Sequence, residues 1–185
     1  MAALIPAGSA SGTGTVTLQA PVTNNTDVIN IPDTTGTMMV SGNMPAFRTY
    51  ASSAQGTTSG AFTKIAFNTK IFDTNNCFDA TTNYRFTPTV AGYYQINAGT
   101  SLVGTTSVGT EAFVFIYKNG AIDSFGCGQS FYSTIQNMCT VSNIVYCNGS
   151  TDYIEIYAYQ NSGGTVNTAS GSATTYFSGS MIRSS

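Results

Sequence analysis

From residue 44 onward, apolar side chains recur at every second position, and no window of ten or more residues carries the three-to-four spacing of a helix. The pattern is most developed in YRFTPTVAGYYQINAGTSL, residues 84–102. Tyr84, Phe86 and Val90 mark an apolar set, Pro88 breaks the run, and Gly92 permits a turn or bulge that a Cβ would resist. Beyond it Tyr94, Ile96 and Ala98 fall on one face, and Tyr93, Gln95, Asn97 and Gly99 on the other. That is a half-buried strand.

Further strands are predicted on both sides of it. Phe47 to Ala51 is the first. In Phe62 to Phe72, Ile65, Phe67 and Ile71 share a parity opposite Lys64, Asn68 and Lys70, and DTNNCF, residues 73–78, follows as an Asx-rich loop. Glu111 to Lys118 sets Phe113, Phe115 and Tyr117 opposite Val114 and Ile116. Apolar on both faces, it suits a strand buried between two sheets or one at a subunit contact. Asn119-Gly120 is a hairpin turn, with Ala121 to Phe125 returning. Met138 to Cys147 and Tyr153 to Gln160 read as another pair joined by Asn148-Gly149-Ser150, and Tyr176 to Ile182 closes the chain. Many short strands separated by regular turns predict an all-β sandwich of antiparallel strands.

Residues 1–43 read differently, as an N-terminal attachment or stem segment before a domain at 44–185. Ser9 to Gly14 is a Gly/Ser/Thr lead, and Thr15 to Gln19, Val28 to Ile31 and Met38 to Val40 are short, polar strand candidates. The segment has no basic region followed by an apolar stretch, so a secretory signal is not expected. Folding in a cytoplasm follows, where Cys77, Cys127, Cys139 and Cys147 stay reduced. Their spacings contain no C-x-x-C pair.

Composition adjusts this picture at the surface. Only 8% of the 185 residues are charged against 42% hydrophobic and 12% aromatic, and the formal net charge is −2. Such a chain buries a core but presents a polar, weakly charged exterior. No basic run supports nucleic-acid binding, and no apolar run is long enough for membrane insertion by a helix.

Four pieces of the chain carry a family resemblance. FTPTVAGYY (86–94), FVFIYKNG (113–120), TTYFSGSMI (174–182) and FDATTNYRF (78–86) resemble, in order and spacing, segments of the C1q globular head. The resemblance covers roughly residues 45–185. It implies a C1q/TNF-like jelly roll of about ten strands assembled as a homotrimer. Some members of that family bind calcium near the trimer axis; no D-x-D-x-D cluster occurs here, so no metal ligand is assigned. Separately, GTVTLQAPVTNN and INIPDTTGTMMVSG, within residues 14–42, resemble the connector that precedes a distal module in tailed-phage fibre and virion proteins.

Catalysis is not expected. The chain has no His, the commonest general base, and its eight acidic residues are dispersed. Asp152 and Glu155, three apart, fall on opposite strand faces. Asp73 or Asp79 converging with Asp123 or Glu111 is the one carboxylate pairing left open, and no motif supports it. No cofactor is implied.

The tyrosines are more informative. Tyr153, Tyr157 and Tyr159 share one strand face with Glu155, opposite Ile154, Ile156 and Ala158. That ridge is either a tolerated outer face or, with Phe113, Phe115 and Tyr117, a trimer interface. The longest loop-like stretches, 102–110, 126–136 and 160–173, are rich in Gly, Ser, Thr and Asn. They place Phe131, Tyr132, Asn161 and Asn167 as candidate receptor-facing residues suited to glycan or polar protein contact. Two function classes stay open. One is a trimeric fibre knob, or a head fibre or decoration protein, of a phage particle assembled in the host cytoplasm and docked on another virion protein through residues 1–43. The other is a secreted C1q-like recognition module.

Overall fold

A computed structural model of the chain describes Asn24, residues 39–40, 42, 44–104, 111–130 and 137–185. The chain divides into two units, Met1–Gly36 and Thr37–Ser185; Asn24 apart, every described residue belongs to the second. The strand candidates at Thr15–Gln19 and Val28–Ile31 lie outside the described residues, and Met39 and Val40 are described but carry no strand.

Fourteen strands are described, and none of the described residues is α-helical. In chain order they are β1 (Ala46–Tyr50), β2 (Gly56–Thr57), β3 (Thr63–Lys64), β4 (Thr69–Asp73), β5 (Phe78–Asp79), β6 (Arg85–Phe86) and β7 (Ala91–Val103). Then follow β8 (Glu111–Lys118), β9 (Ala121–Phe125), β10 (Gln129–Ser130), β11 (Asn137–Asn148), β12 (Ile154–Gln160), β13 (Val166–Thr168) and β14 (Thr175–Ser184). Five are only two residues long, which is why the count exceeds the ten expected. All pairings are antiparallel and form two seven-stranded sheets, a jelly-roll sandwich.

The first sheet is built around β7, which is 13 residues long. Along one edge β7 pairs β11 from Leu102 to Ala91; along the other it pairs β14 and, at its end, β13. β1 and β4 extend the sheet beyond β14. The second sheet has β8 beside β12, with β9 and β10 along the outer edge of β8 and β3 and β6 along that of β12. The alternation read in residues 93–99 holds as far as Ala98: Tyr94, Ile96 and Ala98 are fully buried and Tyr93 is exposed, while Gly99 is buried under Met138 and Tyr176. Burying one such large side chain is worth about 1.5–3 kcal/mol.

Between the sheets lies an aromatic core. Phe47 stacks on Phe86 at 4.3 Å and meets Phe177 edge-on at 4.8 Å; Tyr94 packs against Phe86 at 5.4 Å. The Tyr94 hydroxyl, which burial alone would leave unsatisfied, donates to the Val90 carbonyl at 2.6 Å. Burial raises the pKa of that phenol far above its ordinary value. Cys77, Cys139 and Cys147 are buried with these rings and Cys127 is exposed. Burial pushes the Cys147 thiol up to about 12.

Two expectations are corrected. Residues 62–72 are not one strand: β3 belongs to the second sheet and β4 to the first, and residues 65–68 cross between them. Ile65 still pairs its N–H with Ile156, while the Asn68 carboxamide receives the Ser52 N–H at 2.9 Å. The crossing resets the parity, so Ile65 and Phe67 are buried but Ile71 is 48% exposed. Likewise, β11 and β12 are not partners, for β11 pairs β7 and β12 pairs β8. Each has one apolar face, and the two faces meet across the core from opposite sheets. The Asn148 side chain organises the crossover, accepting N–H bonds from Ser150, Thr151 and Asp152 at 2.9–3.0 Å. By contrast, Asn119 and Gly120 form the expected hairpin turn, with φ of 54° and 80°.

Candidate interaction surfaces

The outer face of the second sheet carries the aromatic positions of β8 and β12. Ala112, Val114 and Ile116 turn inward from β8, and Ile154, Ile156 and Ala158 from β12, all fully buried. The opposite parity sets Phe113, Phe115 and Tyr117 beside Tyr159, Tyr157 and Glu155 in register. Tyr117 and Tyr157 stack at 4.1 Å between ring centroids. Burial raises the pKa of both hydroxyls.

The chain itself covers part of this ridge. Phe62, just before β3, lies 5.1 Å from Phe115, 5.2 Å from Tyr159 and 6.1 Å from Tyr117, and Phe115 is left only 2% exposed. Glu155 is buried beneath Lys64, which donates to it at 3.0 Å. Tyr153 stands apart at the start of β12, with the Arg85 guanidinium 4.3 Å from its ring centre. The six residues expected at a trimer interface are therefore placed on one side of the sandwich, with Phe115 sheltered within the protomer.

At the β8–β9 edge the ridge opens into a cleft of about 180 Å³ lined by Phe62, Phe113, Phe115, Phe125 and Tyr159. Phe125 is 71% exposed, more than any other large apolar residue described. Neither Phe62 nor Phe125 was singled out from sequence. Phe62 is brought over β8 by a segment distant in sequence, whereas Phe125 faces Phe115 across the β8–β9 hairpin.

The outer face of the first sheet is mixed. Tyr93 and Tyr146 are cross-strand partners with rings 5.4 Å apart, beside exposed Ile144. Next to them runs a polar row in which Gln95 donates to Ser142 at 2.9 Å and Ser142 to Asn97 at 2.8 Å. The parity of Tyr93 made it legible as outward-facing; its pairing with Tyr146 was not.

Of the receptor-facing candidates, Phe131 and Tyr132 lie outside the described residues. Asn161 and Asn167 are both exposed. The Asn161 carboxamide accepts the Glu111 N–H at 2.6 Å, and Asn167 sits on β13, paired with Val103 and Gly56. The stretch 160–173 is thus partly strand.

Of the carboxylates considered for catalysis, Asp73, Asp79, Asp123 and Asp152 are engaged separately. Asp73 pairs with Lys70 at 2.8 Å, Asp123 accepts from Ser124, and Asp79 binds its own turn. Asp152 accepts from Asn119 at 2.8 Å and pairs with Lys118 at 3.1 Å. The Asn119 hydrogen bond, then Lys118 and the Asn148 N–H, hold its carboxyl below the ordinary range against the effect of burial. No group of three or more His, Cys, Asp or Glu side chains suited to a metal ion occurs among the described residues.

Solved structures show the same fold. The globular domain of zebrafish complement 1qA superposes with a TM-score of 0.56 at 15% identity, covering 76% of this chain and 99% of that one. The tumour necrosis factor Eiger from S. frugiperda gives 0.54 at 12% identity, covering 77% and 93%. Murine APRIL gives 0.56 at 10% identity, covering 75% and 99%. No family model matches the sequence, and no curated protein matches it. The fold is C1q/TNF-like, and at these identities the likeness extends to the fold alone.

Proposed function

We propose that this chain is a non-enzymatic, self-associating C1q-like head that acts as the homotrimeric fibre knob of a tailed-phage particle and contacts the host surface. The observation that carries the assembly is the aromatic cleft at the β8–β9 edge, with Phe125 71% exposed at its rim. A chain with 8% charged residues has little else to keep such a surface from association. The cleft lies at the Phe113–Phe115–Tyr159 end of the ridge. A neighbouring copy closes it with an apolar surface of its own, and Tyr117 and Tyr157 extend the contact.

The place on a particle is supported by the resemblance of residues 14–42 to the connectors of phage fibre proteins. In this reading residues 1–43 dock on another virion protein, and loops including Asn161, Asn167, Phe131 and Tyr132 face the receptor. Light scattering on the purified chain checks the assembly. A trimer mass is expected for the wild type and a smaller species for Phe125→Asp, which adds a charge that association must desolvate. A stable wild-type monomer at micromolar concentration refutes it. Removing residues 44–185 from the particle should abolish adsorption to host cells. Unchanged adsorption with particles that become fragile to heat or low salt would make the protein a decoration protein instead.

A further inference from the structure

A second cavity lies where β4, β5 and β6 meet. Its volume is about 420 Å³, within the range of about 300–1,000 Å³ common for small-ligand sites. Lys70, Asn76, Asp79, Thr81, Asn83, Arg85 and Thr87 supply its polar lining.

Its walls are held by two carboxylates whose capacity is already used. Asp79 receives five hydrogen bonds: the N–H groups of Thr81, Thr82 and Asn83, the Thr81 hydroxyl and the Asn83 carboxamide, all at 2.8–3.0 Å. An ionised carboxylate offers about four lone-pair sites, so Asp79 has no acceptor left for a ligand. Asp73, beside the cavity, accepts the Cys77 and Phe78 N–H groups and the Lys70 ammonium. Lys70 also reaches Asn76 at 3.2 Å.

What remains is donor capacity, and it belongs to Arg85. Its guanidinium lies over the Tyr153 ring at 4.3 Å, and it makes no ion pair with any described carboxylate. Arg85 lines the cavity with its N–H groups taken by no described carboxylate, and a guanidinium fork is the group that receives a carboxylate in bidentate fashion. The backbone around the cavity is also constrained. Three described non-glycine residues have positive φ; Asn119 belongs to the hairpin, and the other two, Asn76 at 51° and Tyr84 at 49°, bracket this site. For a bulky residue such as Tyr84 that conformation persists only where its surroundings impose it.

We propose that this cavity binds a carboxylate-bearing sugar residue, with the carboxylate on Arg85 and the ring hydroxyls on the amide and hydroxyl groups of Asn76, Asn83, Thr81 and Thr87. A neutral sugar would leave the Arg85 fork without its matching acceptor. A bare anion would leave most of the 420 Å³ to water. The assignment does not rest on the virion reading, since the test reads binding by the isolated chain.

The full-length, isotope-labelled protein is titrated with methyl glucuronide, methyl glucoside and inorganic phosphate while backbone amide shifts are recorded. The glucuronide should perturb amides between Asn76 and Thr87, and both other probes should bind at least about tenfold more weakly, the glucoside because it loses the charge-assisted pair with Arg85 and phosphate because it makes none of the ring-hydroxyl contacts. Arg85→Gln should weaken glucuronide binding by about tenfold or more while leaving the spectrum elsewhere intact. Perturbations elsewhere in the molecule, equal response to glucoside or phosphate, or no response to glucuronide would each overturn the proposal. These readouts come from the wild-type chain, so they decide the question even if Arg85→Gln fails to fold.

Discussion

Replacing Phe62 by Ala tests whether the outer face of the second sheet is closed by its own chain. The ring is 47% exposed, so about half of it is buried, against Phe115, Tyr117 and Tyr159. Half of the burial of a Phe side chain is worth about 1 kcal/mol. Losing three ring contacts at an open site adds about another 1 kcal/mol. The sum, about 2 kcal/mol, corresponds to a fall of about 4–8 °C in melting temperature for a domain of this size. Thermal melts at two protein concentrations a hundredfold apart are the assay. If Phe62 packs within one protomer, the fall is the same at both concentrations. A fall that grows on dilution would show that Phe62 also contributes to the subunit contact at the cleft. Melting unchanged at both concentrations would refute the packing argument, because a ring covering Phe115 to 2% exposure cannot be removed without cost.

Two further outcomes follow from local geometry. The carboxyls of Asp79 and Asp152 are held below the ordinary range, the first mainly by the Thr82 and Thr81 N–H groups and the second mainly by Asn119. A carboxyl with a lowered folded pKa contributes stability that is present above the unfolded value of about 3.9 and is lost as pH falls through the folded value; urea midpoints should therefore drop below about pH 4, and Asp79→Ala should flatten that limb. Gly149→Ala should destabilise by more than about 1 kcal/mol, since its φ is +71° and a Cβ would come within 2.3 Å of the Ala91 nitrogen; an unchanged denaturation midpoint would show that the β11–β12 crossover relaxes around it.

Much of the first sheet could be read from local alternation. Each half-buried strand records its buried face in its own side chains, so Tyr94, Ile96 and Ala98 announced theirs. Asn119-Gly120 announced its turn because few other residues tolerate two successive positive φ values. The partners of a strand are not recorded in this way. β11 and β12 have hairpin-like spacing yet enter different sheets, since alternation marks which face of a strand is buried and is the same whichever strand it pairs with. The break at residues 65–68 left no parity signal, because Ile65, Phe67 and Ile71 share one parity straight through it.

The surfaces divide along the same line. The chemistry of the tyrosine ridge was legible, because composition and parity put aromatic side chains on one face of β12. Which of those rings stay open is decided by Phe62, brought over β8 from a segment distant in sequence, and by Phe125 across the β8–β9 hairpin. The cavity at Arg85 left still less trace. Lys70, Asn83 and Arg85 come from separate elements, and only the folded turn at Asp79 shows which donors are already committed and which one is left.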